Sequence, residues 1–120
     1  MSERVAPRTW YIEAVIGTAA DGLSNEIDGK GYRLAKIFMP AAWTGTSLTF
    51  VEAPVTGGTY NNLYANGSEV TETVAAGRTV AIDINSAALT SMAYFKLRSG
   101  TAGAPTAQAA ARTIGLLFVG

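Results

Sequence analysis

The stretch that decides the fold reads Tyr-Phe-Lys-Leu-Arg-Ser-Gly (94–100), then a run of small residues (101–111), then Arg-Thr-Ile-Gly-Leu-Leu-Phe-Val (112–119). In the first segment, Phe95 and Leu97 alternate with basic side chains, so we expect Arg98 on the water-facing side of a strand. Residues 114–119 are almost continuously apolar, as on a strand that is covered on both sides. This second segment is therefore expected to be central in its sheet.

Working back from this stretch, short segments rich in β-branched and aromatic residues recur at intervals of roughly 8–12 residues. Prolines and Asn-Gly or Asp-Gly pairs separate them, and Asn66-Gly67 is the strongest two-residue turn signal. A helix of one or two turns is expected at 86–92, and an ordered loop at 101–111. The other predicted strands are 10–16, 23–27, 32–39, 47–52, 60–64, 69–74 and 79–84, with Val80, Ile82 and Ile84 on one face.

These segments predict an all-β chain, a single jelly-roll-like β-sandwich of about eight strands. An immunoglobulin-like sandwich is the alternative. Pro7 prevents regular structure just before the first strand, so residues 1–9 are expected to be an N-terminal arm and residues 10–120 the β-sandwich domain.

The amino-acid composition argues against several classes of function. The chain has nine basic and nine acidic residues, which argues against electrostatic binding of nucleic acid. It has no cysteine and no histidine, so disulfides, zinc sites and Ser-His or Cys-His chemistry cannot be built from its residues. We therefore expect a protein that is not an enzyme, has no cofactor and no catalytic or metal site, and binds other proteins.

Targeting signals are also missing. The first eight residues are polar and contain Arg4 and Arg8, so no signal peptide is predicted, and no apolar run reaches the roughly 18 residues of a membrane-spanning helix. We expect a product made in the cytoplasm, with no membrane partner.

Two groups of acidic residues are weak candidates for a functional site. Asp21, Glu26 and Asp28 supply oxygen ligands, but their spacing does not fit a calcium loop, and turn formation is the favoured role. Glu69 and Glu72 are three positions apart, so on a strand they point to opposite faces and are expected to be solvated rather than catalytic.

Three aromatic residues, Trp43, Tyr60 and Tyr64, could form a platform for stacking sugars, although packing roles are favoured. Around the C-terminal loop, Arg98, Gln108 and Arg112 carry several hydrogen-bond donors each. We expect these three to fix the loop, either within one subunit or across a subunit interface.

From residue 32 onward the chain resembles a family of small structural proteins of tailed-phage virions. The resemblance covers roughly three-quarters of the chain and rests on Tyr-Arg-Leu-Ala (32–35), Met-Pro-Ala-Ala-Trp-Thr (39–44), Leu-Thr-Phe (48–50), Asn-Leu-Tyr (62–64), Ala-Gly-Arg (76–78), Lys-Leu-Arg-Ser-Gly-Thr (96–101) and Gln-Ala-Ala-Ala-Arg-Thr-Ile (108–114). Such proteins include capsid decoration (cement) proteins and head-fibre parts with jelly-roll-type folds.

The resemblance implies a cement protein that binds the outer capsid surface, bridges major capsid subunits and stabilises the shell by mass action. It also implies a homotrimer on the virion, assembled in the host cytoplasm. The alternative is a receptor- or carbohydrate-binding module of a fibre or baseplate. The candidate interface residues are Arg4, Arg8, Trp10, Trp43, Arg98, Gln108 and Arg112.

Overall fold

The computed structural model describes residues 8–83 and 85–120, which form eleven strands and one short helix. The elements are β1 (Thr9–Ile16), β2 (Ile27–Asp28), β3 (Arg33–Phe38), β4 (Ser47–Ala53), β5 (Asn61–Asn62), β6 (Tyr64–Ala65), β7 (Ser68–Glu69), β8 (Glu72–Thr73), β9 (Thr79–Ala81), α1 (Ala87–Thr90), β10 (Tyr94–Ser99) and β11 (Arg112–Val119).

Two antiparallel sheets form the sandwich. Sheet 1 has the order β1-β11-β3-β9, and sheet 2 has the order β2-β10-β4-β5, with β8 also pairing with β4. Along these nine strands the chain changes sheet at every step except from β4 to β5 and from β5 to β8. This alternation is the connectivity of a jelly roll and differs from the ABED and CFG sheets of the immunoglobulin-like alternative. The predicted jelly-roll sandwich is therefore confirmed.

The C-terminal strand is central, as predicted, because β11 pairs with β1 on one side and with β3 on the other. Ile114, Leu116 and Phe118 point inward and are fully buried or nearly so. On the outer side, the ring of Tyr11 lies over Gly115. The continuous apolar run thus reflects an interior face and a partly covered outer face.

The core lies between the two sheets and is rich in aromatic contacts. Phe95 of sheet 2 lies with its ring centroid 6.1 Å from that of Phe118 in sheet 1, and 6.5 Å from that of Phe50. Leu89 of α1 is also buried in this cluster, so the predicted short helix contributes to the core. Alternating inward residues from both sheets therefore build one core.

Some predicted strands are shorter or divided. The segment 60–64 splits at Leu63, which packs against the core and bonds through its backbone to Phe50 and Val70. β5 consequently belongs to sheet 2, whereas β6 and β7 form a separate hairpin that turns at Asn66-Gly67, both with positive φ. In the segment 23–27, residues 23 and 24 make only isolated bridges and the strand begins at Ile27.

Other boundaries shift by a few residues. Pairing of β9 with β3 ends at Ala81, although Ile82 is still buried, and Ile84 lies outside the described residues. Thr9 pairs with Val119 and the Arg8 carbonyl accepts the Gly120 N–H, so the sheet begins slightly before the predicted domain start. No helix within residues 8–83 and 85–120 has the length and apolarity needed to cross a membrane.

Candidate functional site

Arg98 lies on the outer side of sheet 2, yet its side chain is buried. Its Nε donates to Thr49 Oγ1 over 3.0 Å and its Nη1 donates to Asn62 Oδ1 over 2.9 Å. Its Nη2 lies 2.7 Å from the carboxylate of Glu69, which the β6–β7 hairpin supplies. The prediction that Arg98 faces water is wrong, because residues from the hairpin and from the loop after β10 close over this side of the sheet.

Glu69 joins the buried guanidinium to that loop. Its two carboxylate oxygens accept the backbone N–H of Ala102 over 3.3 and 3.0 Å. The Thr49 hydroxyl donates to the Gly100 carbonyl over 2.7 Å, which ties the same loop to β4. The prediction that Glu69 is a solvated charge is therefore wrong. Its carboxylate compensates the charge of the buried Arg98.

Gln108 fixes the other end of the loop and is 3% exposed. Its Oε1 accepts the Thr44 N–H over 3.0 Å, and its Nε2 donates to the Thr44 carbonyl over 2.8 Å and to Ser99 Oγ over 2.9 Å. The amide therefore pairs with both backbone groups of one residue, as a strand neighbour would. Of the two roles expected for Arg98 and Gln108, the bonds formed are those that fix the loop within one subunit.

Arg112 differs from these two residues. It is half-buried at the start of β11, and its Nε is buried without a hydrogen-bond partner among the described residues. This nitrogen therefore does not take part in fixing the loop. An intermolecular role for Arg112 stays a prediction.

The remaining interface candidates lie apart from the loop. Arg8 is exposed beside the end of β11, and Arg4 is outside the described residues. Trp10 and Trp43 are half-buried and pack against the core, and the Lys30 ammonium lies 5.2 Å from the Trp10 ring centroid. The two tryptophans thus have packing roles, and their contact with a partner stays a prediction.

The acidic residues near the first turns serve the turns themselves. Asp21 accepts the N–H of Leu23 over 3.1 Å, and Asp28 accepts the N–H of Lys30 over 2.9 Å. These bonds confirm the turn interpretation. Within the described part of the chain, no three acidic side chains are grouped as metal ligands would be.

Glu26 forms a cluster that the sequence did not reveal. Its carboxylate accepts hydrogen bonds from the Thr56 hydroxyl over 2.5 Å, from the Gly57 N–H over 3.0 Å and from the Tyr60 hydroxyl. These bonds lower the pKa of Glu26 to about 2. Burial and the bond to Glu26 raise the pKa of Tyr60 to about 12. The cluster joins the turn after β4 to the residue just before β2. These two segments are far apart in the sequence, so no local sequence pattern predicts the contact.

Trp43, Tyr60 and Tyr64 do not form the stacking platform that was the less favoured alternative for them. The Tyr60 hydroxyl is held by Glu26, and the Lys96 ammonium lies 4.7 Å from its ring centroid. Tyr64 is exposed on β6, and none of the aromatic ring pairs in the described residues joins it to Trp43 or Tyr60.

An open groove lies nearby, next to β5. Its volume is about 340 Å³, and it is lined by Glu52, Ala53, Pro54, Asn61, Asn62, Leu63 and Ala93. Two of its polar groups already have partners, because Glu52 accepts the Ala93 N–H and Asn62 accepts from Arg98.

The outer face of sheet 1 carries Tyr11, Val15 and Phe38, which are the large exposed apolar side chains among the described strands of the two sheets. We use this name for the exposed side formed by Tyr11 and Glu13 of β1, Gly115 and Leu117 of β11, and Lys36 and Phe38 of β3. Tyr11 is 53% exposed and Phe38 is 37% exposed, and their ring centroids are 6.4 Å apart. With the Tyr11 ring in this position only glycine fits beneath it, because a Cβ at Gly115 would lie 2.5 Å from the Tyr11 hydroxyl. The two rings form a continuous ridge across three strands.

The charges of this face stand on either side of the ridge. Strand register places Glu13, Gly115 and Phe38 in one row, and Tyr11, Leu117 and Lys36 in the next. The Tyr11 hydroxyl donates to Glu13 over 3.3 Å, and partial burial together with that carboxylate raises the Tyr11 pKa. A signal for this face was present in the sequence, since β1 has apolar residues in both phases of its alternation.

Comparison with known proteins supports the fold. The crystal structure of the SPBc2 prophage-derived protein YomS superimposes with a TM-score of 0.60 at 10% identity, covering 100% of this chain and 100% of that one. No protein-family model matches the chain, and a search of curated proteins finds no significant match. At this level of identity the likeness establishes a shared fold.

Proposed function

We propose that this protein is a phage capsid decoration, or cement, protein that binds the outer capsid surface and bridges major capsid subunits. The observation that carries the proposal is the likeness of the whole chain, end to end, to a prophage-derived protein of the same fold. Jelly rolls are also a fold in which viral capsid domains are built. The proposal places the protein on the virion surface after assembly in the host cytoplasm.

The chemistry of the surface fits this role. Equal numbers of basic and acidic residues leave the protein without a net charge that would repel further copies in a dense shell. The C-terminal loop is fixed by the bonds of Gln108 and by Glu69, the partner of Arg98, so it presents a defined shape at low entropic cost. A protein that acts by binding alone needs such pre-formed surfaces.

We assign the contact with the capsid or with a neighbouring subunit to the N-terminal arm, residues 1–9, and to Trp10 directly after it, with Arg4, Arg8 and Trp10 as the contact residues. Three-fold positions on an icosahedral shell would suit a trimer, which we propose forms on the capsid rather than in free solution. The test uses purified particles that lack the protein. Added protein is expected to co-sediment with them and to raise the temperature at which they release DNA.

Deletion of residues 1–7 supplies the matched variant, because it removes Arg4 and keeps the bond between Arg8 and Gly120. This variant is expected to fold normally and bind particles less tightly. Full-length protein that stays in the supernatant at concentrations well above those of capsid subunits would contradict the proposal.

A second candidate function is carbohydrate binding on a fibre or baseplate, since jelly rolls also form lectin domains. The observation that favours it is the groove beside β5, where the amide of Asn61 and the second carboxylate oxygen of Glu52, the one not bonded to Ala93, can form hydrogen bonds to hydroxyl groups. Glycan-array binding that is lost in Asn61→Ala would support it. Trp43→Ala is unsuitable as a test, because Trp43 packs against the core.

A further inference from the structure

We infer that the outer face of sheet 1 binds the same face of a second copy of this chain through a two-fold axis. The face is the side of the sandwich on which Tyr11, Val15 and Phe38 are left exposed by 53%, 43% and 37%. Exposed aromatic residues at the centre of a patch and charges at its margin are the usual arrangement of a protein interface. This inference goes beyond capsid binding and does not depend on it.

The arrangement of side chains on this face indicates that its partner is a second copy of the chain. In the grid set by the strand register, Tyr11 and Phe38 occupy one diagonal, and Glu13 and Lys36 occupy the other. The apolar diagonal is a continuous ridge, since the Tyr11 ring lies over Gly115 with its centroid 6.4 Å from that of Phe38. One acidic and one basic side chain therefore lie at matching positions on opposite sides of the ridge.

A two-fold axis along this ridge pairs the charges. Rotation about an axis in the plane of the face, along the line from Tyr11 to Phe38, turns a second copy to face the first. It brings Glu13 of each copy opposite Lys36 of the other, so two ion pairs form in each dimer. The ridge then packs on its own equivalent, which is the self-complementarity that an isologous contact requires.

The resulting geometry is one that sheets adopt. With strands about 4.8 Å apart and rows of about 6.7 Å, the diagonal is inclined to the strands by roughly 55°, so the strands of the two copies cross at roughly 110°. This angle is close to the orthogonal class of sheet packing. Rotation about an axis parallel to the strands would instead set Glu13 opposite Phe38 and leave both charges unpaired.

Charge exchange at exposed positions tests the contact without disturbing the fold. Sedimentation of the wild type should give a mass that rises toward twice that of the 12.5 kDa chain as concentration increases to roughly 1 mM. Glu13→Lys and Lys36→Glu should each weaken association at least tenfold, because each sets like charges opposite one another twice. The double variant with both exchanges should restore it.

The decisive experiment mixes the two single variants. A Glu13→Lys copy presents two lysines and a Lys36→Glu copy presents two glutamates, so the mixture should form heterodimers although neither variant pairs with itself. Tyr11→Ala should weaken wild-type association, and Tyr64→Ala, which alters a similarly exposed tyrosine on the β6–β7 hairpin, should not.

A monomeric wild type throughout the concentration range would overturn the inference. So would single variants that associate as the wild type does, or a mixture without heterodimers, since the face would then be covered by the chain's own arm or by another protein. Sedimentation is read without capsids, so its failure leaves the proposed capsid binding intact, and loss of capsid binding leaves this inference intact.

Discussion

The guanidinium of Arg98 lies 2.7 Å from the carboxylate of Glu69, and only 7% and 16% of the two side chains are exposed. The pair joins sheet 2 to the β6–β7 hairpin, and the bond from Ala102 to Glu69 extends it to the C-terminal loop. Three segments that are distant in sequence therefore depend on one buried ion pair. Removing one partner of such a pair leaves an uncompensated charge, which is more damaging than losing both.

Arg98→Met is expected to lower the free energy of unfolding by roughly 3–5 kcal/mol, because it leaves the Glu69 carboxylate without its counter-charge. Urea unfolding measures the loss. Arg78→Met, at an exposed arginine in the turn before β9, should change stability by less than about 0.5 kcal/mol. The double variant Arg98→Met with Glu69→Met should be less destabilised than Arg98→Met alone. Equal stability of Arg98→Met and the wild type would refute this role.

Two glycines of the C-terminal loop should respond in opposite directions. Gly100 has φ of 86°, and a Cβ there would lie 2.5 Å from the Ala104 carbonyl oxygen and 2.7 Å from the Thr106 nitrogen. Gly100→Ala should therefore cost at least about 2 kcal/mol. Gly103 has open space around it, so Gly103→Ala should stabilise the fold by about 0.4–1 kcal/mol. Thermal unfolding compares them, and equal effects would mean that the loop is not fixed as described.

The strands and their sheet class could be predicted because burial of a sheet face imposes a period of two on the sequence. The central position of β11 followed from its continuous apolar run in the same way. The burial of Arg98 could not be predicted, since its alternation with Leu97 is that of a wet face. The covering residue, Glu69, lies 29 positions away. A polar pair between residues far apart in the chain leaves no local pattern in the sequence, whereas burial of one face of a strand does.

The same limit applies to the outer face of sheet 1. The sequence predicts a strand through Tyr11 and Val15, but its alternation does not tell which side of β1 is covered. The ridge further requires Gly115 to be the neighbour of Phe38, which depends on register. Register is set by the whole sheet rather than by either strand.

Acid should release the Glu26 cluster. Hydrogen bonds from Thr56, Tyr60 and the Gly57 backbone lower the Glu26 pKa from 4.5 to about 2. Because the folded pKa is depressed, its contribution to stability is complete above the unfolded value and is lost as pH falls toward the folded one. The difference in unfolding free energy between the wild type and Glu26→Gln should therefore be constant above about pH 5 and shrink toward pH 2. A difference that does not change with pH would contradict it.

Gly115→Ala should separate folding from self-association. A Cβ at this position would lie 2.5 Å from the hydroxyl of Tyr11 and 2.9 Å from Cε1, so the exposed ring must swing aside. The fold should be affected by less than about 1 kcal/mol, because glycine is itself unfavourable in a strand. The ridge with Phe38 would be broken, and dimerisation measured by sedimentation should weaken at least tenfold. Unchanged dimerisation would exclude the ridge from the contact.

A density map of purified phage particles tests whether this protein lies on the outer capsid surface, as we propose. We expect a jelly-roll density there that touches at least two major capsid subunits, with the N-terminal end directed at the shell. Density for this chain in the tail or fibres, or its absence from particles that are otherwise complete, would contradict it.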